Sequence, residues 1–259
     1  MTPAVELAAA LHARFLAMLE AYADDSISSE GELRVSVVAG WFGEADVWRS
    51  LEDRWIAILE REHIQEFKAS DCHSSQGEFS EWDKPRRIAL RQELVGVISE
   101  TPIHGTTATL TIATRGTQHA SYKICLIYAL LNLTGFARGF RPQERVAYIV
   151  DERMKGSGAG DLEAVRHQLR TTGPSEFRRR VGPAAYDSSA EVIPLQAADL
   201  LAHECLLNRL NELHGAPPRM ELARMKNRLG PCKSLHIELD DDDPDLQFVD
   251  LDQMANDWT

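Results

Sequence analysis

Some acids in this chain stand where a carboxylate is hard to explain as surface charge. Asp199 sits in Ile193-Pro194-Leu195-Gln196-Ala197-Ala198-Asp199-Leu200-Leu201-Ala202, which reads as the opening of a buried helix. Pro194 suits the first turn, where its missing N–H costs nothing. Leu195, Ala198, Leu201, Ala202, Cys205 and Leu206 recur at helical spacing, and Leu200 and Leu207 make the helix apolar almost all round. An unpaired carboxylate in that surface is costly, so Asp199 needs a cation, hydrogen bonds or a proton. Asp24 and Asp151 each end a short apolar strand pattern, and Glu66 follows a long amphipathic helix. Strand ends beside helix starts are where α/β sheets place their sites. Carboxylates gathered there cannot all ionise unless a cation joins them. Such an oxygen-rich set suits Mg²⁺ or Mn²⁺. Two such ions about 4 Å apart orient an attacking water and stabilise the leaving oxygen in phosphodiester hydrolysis. For each single acid the alternative is a helix cap, a surface charge or a core hydrogen bond.

Other residues offer chemistry around those acids. Glu66-Phe67-Lys68 is an E-x-K triplet that, with an upstream acid such as Asp53, is shared with the PD-(D/E)xK nucleases. Those nucleases carry it on a strand, whereas here it follows a helix. In either setting Lys68 is placed to stabilise a phosphate or a metal-bound water. His119 follows a Thr-rich strand and reads as a general base, a phosphate contact or a surface histidine. His203, one turn after Asp199, reads as a site neighbour or a packed helix histidine. His63 and His73 flank Glu66 without a tight metal spacing. Lys84-Arg86-Arg87 and Arg178-Arg179-Arg180 are short basic groups that suit a phosphate backbone or a solvated face. Met154 to Gly160 is a Gly-rich loop lacking the G-x-x-x-x-G-K pattern. No Ser-His-Asp or Cys-His set and no G-x-G-x-x-G fingerprint are evident.

The elements that must position these residues follow from periodicity. Residues 4–20 are predicted as a helix, followed by a short strand at Ala21–Ser26, a turn at Ile27–Glu32 and a strong β-branched strand at Leu33–Phe42. That hairpin would hold Asp24 at its mouth. Helices are predicted over 44–63, Lys84–Ser99, 120–136 (ended near Gly135), 162–170, 194–213 and 219–229. Strands are predicted at Thr106–Thr114 and Arg145–Glu152. The stretch from Glu66 to Asp83 reads as a loop and that from Arg178 to Glu191 as a polar segment. An acidic run, Asp240-Asp241-Asp242-Asp243 with Asp245, opens a polar tail.

A chain of 259 residues with 44% hydrophobic residues can bury a large core. No apolar run approaches the ~18 residues a membrane span needs, and the N-terminus lacks a signal-peptide pattern. The four scattered cysteines read as reduced, buried thiols of a cytoplasmic protein. A net charge of −12 argues against a nonspecific nucleic-acid binder. It leaves a nuclease open, because catalytic acids add negative charge that bound metal offsets.

Tyr22-Ala23-Asp24-Asp25-Ser26 resembles the Y-x-D-E-S(-G) strand of the family called domain of unknown function 3800. Val37-Val38-Ala39-Gly40-Trp41 resembles its second strand and Ile149-Val150-Asp151-Glu152 its internal acidic strand. Leu195-Gln196-Ala197-Ala198-Asp199-Leu200-Leu201-Ala202 is similar to its Q-x-A-D-L-x-A helix, the most specific of these matches. The resemblance covers roughly residues 20–213. It implies a ribonuclease H-like mixed sheet flanked by helices, with a metal-binding acid cluster carried over as Asp24, Asp151 and Asp199, and with Glu66 beside them. Where the family motif has Glu then Ser-Gly, this chain has Asp25, Ser26 and Ile27. The expected organisation is an N-terminal helical extension (1–19), a ribonuclease H-like domain (20–235) and an acidic tail (236–259). The expected function is hydrolysis of a nucleic acid with Mg²⁺ or Mn²⁺. Asp24, Asp151 and Asp199 would be ligands, Glu66 a ligand or water-orienting group, and Lys68 a phosphate stabiliser. The alternative is a non-catalytic scaffold of the same fold that binds a protein partner or a second copy of itself, in a mobile-element or defence setting.

Overall fold

A computed structural model describes residues 19–30, 33–113, 118–141, 144–152, 162–173, 175–230 and 233–236. The chain forms a mixed α/β domain whose centre is a sheet of six strands in the order β5-β4-β1-β2-β3-β6. These are β1 (Leu19–Glu30), β2 (Leu33–Gly43), β3 (His104–Ala113), β4 (Val146–Asp151), β5 (Val181–Asp187) and β6 (Lys233–His236). β1, β2 and β3 form an antiparallel meander. β4 runs parallel to β1, β5 parallel to β4, and β6 parallel to β3.

Helices cover both faces, as the sequence predicts. On one face lie α1 (Ala45–Glu62), α3 (Lys84–Glu100) and α7 (Ile193–Leu213); on the other lie α4 (Gln118–Phe140) and α5 (Leu162–Thr171). Three shorter pieces complete the set: α2 (Ala69–Ser74), α6 (Ser175–Arg178) and α8 (Met220–Met225). β2 shows why the sheet is two-sided: Val35, Val37, Ala39 and Trp41 join one core, while Val38 and Phe42 join the other. α1 presents Trp48, Leu51, Trp55, Ile58 and Leu59 to the first core, and α7 is buried almost all round from Pro194 to Leu206. The Trp41 indole N–H donates to Ala197 O at 3.0 Å, pinning α7 onto β2. Asp83 caps α3 by accepting from Arg86 N at 2.8 Å, with Pro85 in the first turn.

The structure departs from the sequence reading in places that matter. β1 begins at Leu19, so the predicted helix stops short of its last two residues, and the rest of it lies outside the described residues. β1 also runs on to Glu30, through the predicted turn, because β2 pairs with it to Glu30↔Leu33. Asp24 is therefore a mid-strand residue. The predicted loop from Glu66 to Asp83 contains α2 and a 3-10 turn at Gly77–Phe79. The polar segment after Arg180 contains β5. α4 continues past Gly135 to Phe140, and the predicted helix at 219–229 is α8 plus a 3-10 turn at Lys226–Arg228. The Gly-rich loop and the acidic tail lie outside the described residues. Among the described residues no helix is long and apolar enough to cross a membrane. Among the described residues, Cys72, Cys125 and Cys205 are buried thiols outside any disulfide.

Close strand packing beside Asp24 needs a glycine. Gly40 pairs with Ala23, and a Cβ on it would stand 2.6 Å from Tyr22 O and 3.1 Å from Ala23 Cβ. Gly40→Ala is expected to cost about 1–3 kcal/mol, as overpacking does, read as a lower urea midpoint. An unchanged midpoint would show that β1 and β2 separate freely here.

Candidate functional site

Parallel pairing brings the acids together. Ala23 is paired with Val150, so the next residues, Asp24 and Asp151, stand side by side where β4 ends. Asp151 is in turn paired with Asp187, the last residue of β5. Residues in one row of a parallel sheet share a face. Tyr22 and Ile149 assign that face to the core beneath α7. Asp199 faces the row from the second turn of α7. The chain thus builds a row of acids along the end of the parallel half of the sheet and closes it with a helix. Side-chain alternation places Asp25 on the other face, near Cys125, so it cannot share the row.

Burial dominates the electrostatics. Asp24 and Asp151 are buried, while Asp199 is half-buried. Burial is the largest cause holding the Asp24 carboxyl well above the ordinary range, and the charges of Asp199, then Asp151, then Asp25 push the same way. The Asp25 N–H, donated to Asp24 Oδ1 at 2.8 Å, acts in the opposite sense. Asp199 is the nearest of these charges in effect, which is how the helix reports its approach to the strands. Its Oδ2 accepts from Ala69 N, the first amide of α2, at 2.8 Å. The acids continue along the same face of β1, where burial and the charges of Glu20, Glu52 and Asp187 hold the proton on Tyr22.

Glu66 and Lys68 lie on the segment between α1 and α2, just before Ala69, whose N–H meets Asp199. Glu66 is half-buried and its Oε1 accepts from Ser189 Oγ at 2.5 Å. Lys68 is the residue before α2 and half-buried. The segment is held by Glu78, which accepts from the amides of Gln65 and Glu66 at 2.9 and 3.1 Å. It is also held by Gln196, whose buried Oε1 accepts from Phe67 N at 3.1 Å and Trp55 Nε1 at 3.0 Å. The Gln196 Nε2 donates to Ser189 O at 2.8 Å. One amide therefore sets the places of Glu66, Ser189 and α7 together. Because Glu66 lies outside any strand, the PD-(D/E)xK arrangement is not formed.

The structure does not gather the remaining candidates at the acid row. His203 faces His73, with ring centroids 5.3 Å apart, and burial first, then the charges of His73, Arg91 and Arg219, push it down to about 3. It is neutral at pH 7 and is no proton donor there. His63 caps α1 in the left-handed region, with φ 58°. The side chain of His119 lies outside the described residues. Arg86 binds Glu62 at 3.1 Å and lies 3.6 Å over the Trp82 ring. Arg178 to Arg180 precede β5 and so lie at the end of it opposite Asp187, with Arg180 buried. Two participants escaped sequence reasoning. Asp187 is hidden by the unrecognised strand, and Ser189 carries no motif.

Mg²⁺ and Mn²⁺ favour oxygen donors such as Asp24, Asp151 and Asp199 supply, and the Asp24 carboxyl is raised by burial first and by the charges of Asp199 and Asp151 after it. Among the described residues, no three His, Cys, Asp or Glu side chains stand in a metal-holding arrangement. The donor types fit a hard divalent ion, and the backbone places their residues together; the side chains are not drawn in around one point. Comparison with known protein families, with curated proteins and with solved structures finds no match for this chain.

Proposed function

We propose that the chain is a divalent-metal-dependent nuclease of ribonuclease H-like architecture, akin to the family its motifs resemble. The observation that carries this is the placing of Asp24 and Asp151 side by side on two parallel strands with Asp199 near them on a helix, where burial first, then the charges of Asp199 and Asp151, raise the Asp24 carboxyl above its ordinary range. Buried acids arranged against each other are costly unless a ligand uses them. A meander continued by parallel strands on the far side of β1 is the kind of mixed sheet this reading requires.

In this reading Asp24, Asp151 and Asp199 would hold Mg²⁺ or Mn²⁺. When bound, such an ion supplies Lewis-acid activation of a phosphodiester and a more acidic attacking water. Glu66, oriented by Ser189, would position that water through a hydrogen bond, and Lys68 would stabilise charge on the phosphate. The test is cleavage of single-stranded, duplex and hybrid substrates with Mn²⁺, comparing the natural protein with Asp151→Asn. Loss of cleavage in the variant is expected, and equal cleavage by both or none by either overturns the proposal.

The second reading, a non-catalytic scaffold for a protein partner or a second copy of the chain, draws on the absence of a formed metal arrangement among the described residues and on the −12 charge. Calorimetric titration with Mn²⁺ separates the two. Binding that Asp24→Asn removes supports the nuclease, and no binding supports the scaffold.

A further inference from the structure

A second polar site lies beyond the far end of α2. Whereas Ala69 opens α2 against Asp199, His73 near its end borders a cleft of about 690 Å³ between α2, α3 and the start of α8. Lys84, Arg87, Arg91 and Arg219 line it, with Glu221 as the one acid among its lining residues. Glu204, fully buried behind them, binds Arg219 at 2.9 and 3.1 Å and lies 3.5 Å from Arg91. Four cations thus face two carboxylates, leaving positive charge in excess in a chain of net charge −12.

The cations are held in place before any ligand arrives. Arg87 Nη1 donates to the carbonyls of Cys72 and His73, both at 2.7 Å, and Arg91 Nη2 donates to Glu221 at 3.4 Å. Behind them, Arg91 Nε faces Glu204 Oε1 at 3.5 Å, and the same carboxylate holds Arg219. An acceptor-rich anion entering the cleft meets the surplus charge of Lys84, Arg87, Arg91 and Arg219. Planar guanidinium groups suit phosphate oxygens. Ile88, Pro217, Pro218 and Met220, the last 75% exposed, add an apolar part to the lining. A lining that mixes cations with apolar side chains suits a charged head on a flat or apolar body, and the volume falls in the range of small-molecule sites.

We propose that this cleft binds a phosphate monoester carried on a mononucleotide-sized body, independently of the acid row. The experiment is calorimetric titration of the full chain in EDTA with AMP, inorganic phosphate and adenosine, up to about 5 mM, a range that resolves even weak binding. AMP is expected to bind most tightly, phosphate more weakly and adenosine not at all. Lys84 is exposed and Lys84→Glu is expected to weaken AMP and phosphate at least about tenfold, as reversing a contact charge does, with an unchanged melting temperature. Met220→Ala is expected to weaken AMP alone. Asp151→Asn is expected to bind AMP as the natural protein does, so a failed nuclease assay leaves this result standing. No binding of AMP or phosphate, equal binding of adenosine, or indifference to Lys84→Glu overturns the proposal.

Discussion

Asp24→Asn is expected to raise the melting temperature of the metal-free protein at neutral pH while lowering Mn²⁺-dependent cleavage at least about a hundredfold. The two effects share one cause. Burial and the charges of Asp199, Asp151 and Asp25 hold the Asp24 carboxyl well above its ordinary range. In the unfolded chain that carboxyl ionises near pH 3.9. Below that value both states are protonated and Asp24 costs the fold nothing electrostatic. Above it the unfolded state releases its proton first, so stability falls as pH rises, until the folded carboxyl also ionises. The natural protein should therefore lose melting temperature on going from about pH 4 toward neutral. Asparagine keeps the acceptor that Asp25 N–H uses and removes the charge, so the variant's profile should be flatter. Each kcal/mol relieved raises the melting temperature by about 2–4 °C in a domain of this size.

If the acid row holds a divalent ion as proposed, that ion would also stabilise the fold. An ion that binds only the folded state adds about 2.7 kcal/mol at a hundredfold excess over its dissociation constant. Mn²⁺ should restore the natural protein's melting temperature at pH 7 and leave Asp24→Asn nearly unmoved. The loss of cleavage follows from the loss of a ligand, since even the outer partners of metal ligands contribute about 10–100-fold. Scanning calorimetry from pH 4 to 8, with and without Mn²⁺, reads all of this. An Asp24→Asn protein that melts lower than the natural one at pH 7, or that shows the same pH slope, would mean that the crowding is relieved in some other way.

How much of this was legible in the sequence depended on context. Asp199 stood out because its neighbours are apolar on every side, and Asp151 because Tyr148, Ile149 and Val150 read as a buried strand. That Asp24 belongs with them was suggested by their places at element ends and by the family motifs, but the pairing of β1 with β4 that sets Asp24 beside Asp151 was not, since strand pairing is a long-range fact. β5 was not legible: Val181-Gly182-Pro183-Ala184-Ala185-Tyr186-Asp187 has a proline and few β-branched residues. It is an edge strand, where proline is tolerated because one side of the ladder is empty. Missing it hid Asp187. The extension of β1 through Ile27 to Glu30 is stabilised by β2 and not by its own composition. α2 has six residues, too few for periodicity to show. The basic cleft was half visible, as Lys84 and Arg87; Arg91, Glu204 and Arg219 join it only through tertiary packing.

Gln196→Ala is expected to destabilise the fold by about 3–4 kcal/mol, an effect concentrated in one amide group. Removing the side chain strands the Trp55 indole N–H and the Phe67 amide in the core, each at about 1–3 kcal/mol. It also frees Ser189 O and leaves a cavity at a fully buried position. The consequences are directional. Phe67 lies between Glu66 and Lys68, and Ser189 is the hydrogen-bond donor to Glu66, so the first structure to loosen should be the segment from Ile64 to Ala69. Hydrogen exchange should show the Phe67 amide opening well before global unfolding in the variant and together with it in the natural protein. Gln196→Glu gives the contrasting case: its carboxylate still accepts from Trp55 and Phe67, and what fails is the donation to Ser189 O. It should keep Phe67 protected, with Ser189 set free. Gln196 would then be a positioning residue, holding Glu66 through Ser189 and the intervening loop without touching a substrate. A denaturant midpoint reduced by less than about 1 kcal/mol in Gln196→Ala, or a Phe67 amide as protected as before, would show that α1 and α7 hold the segment without it.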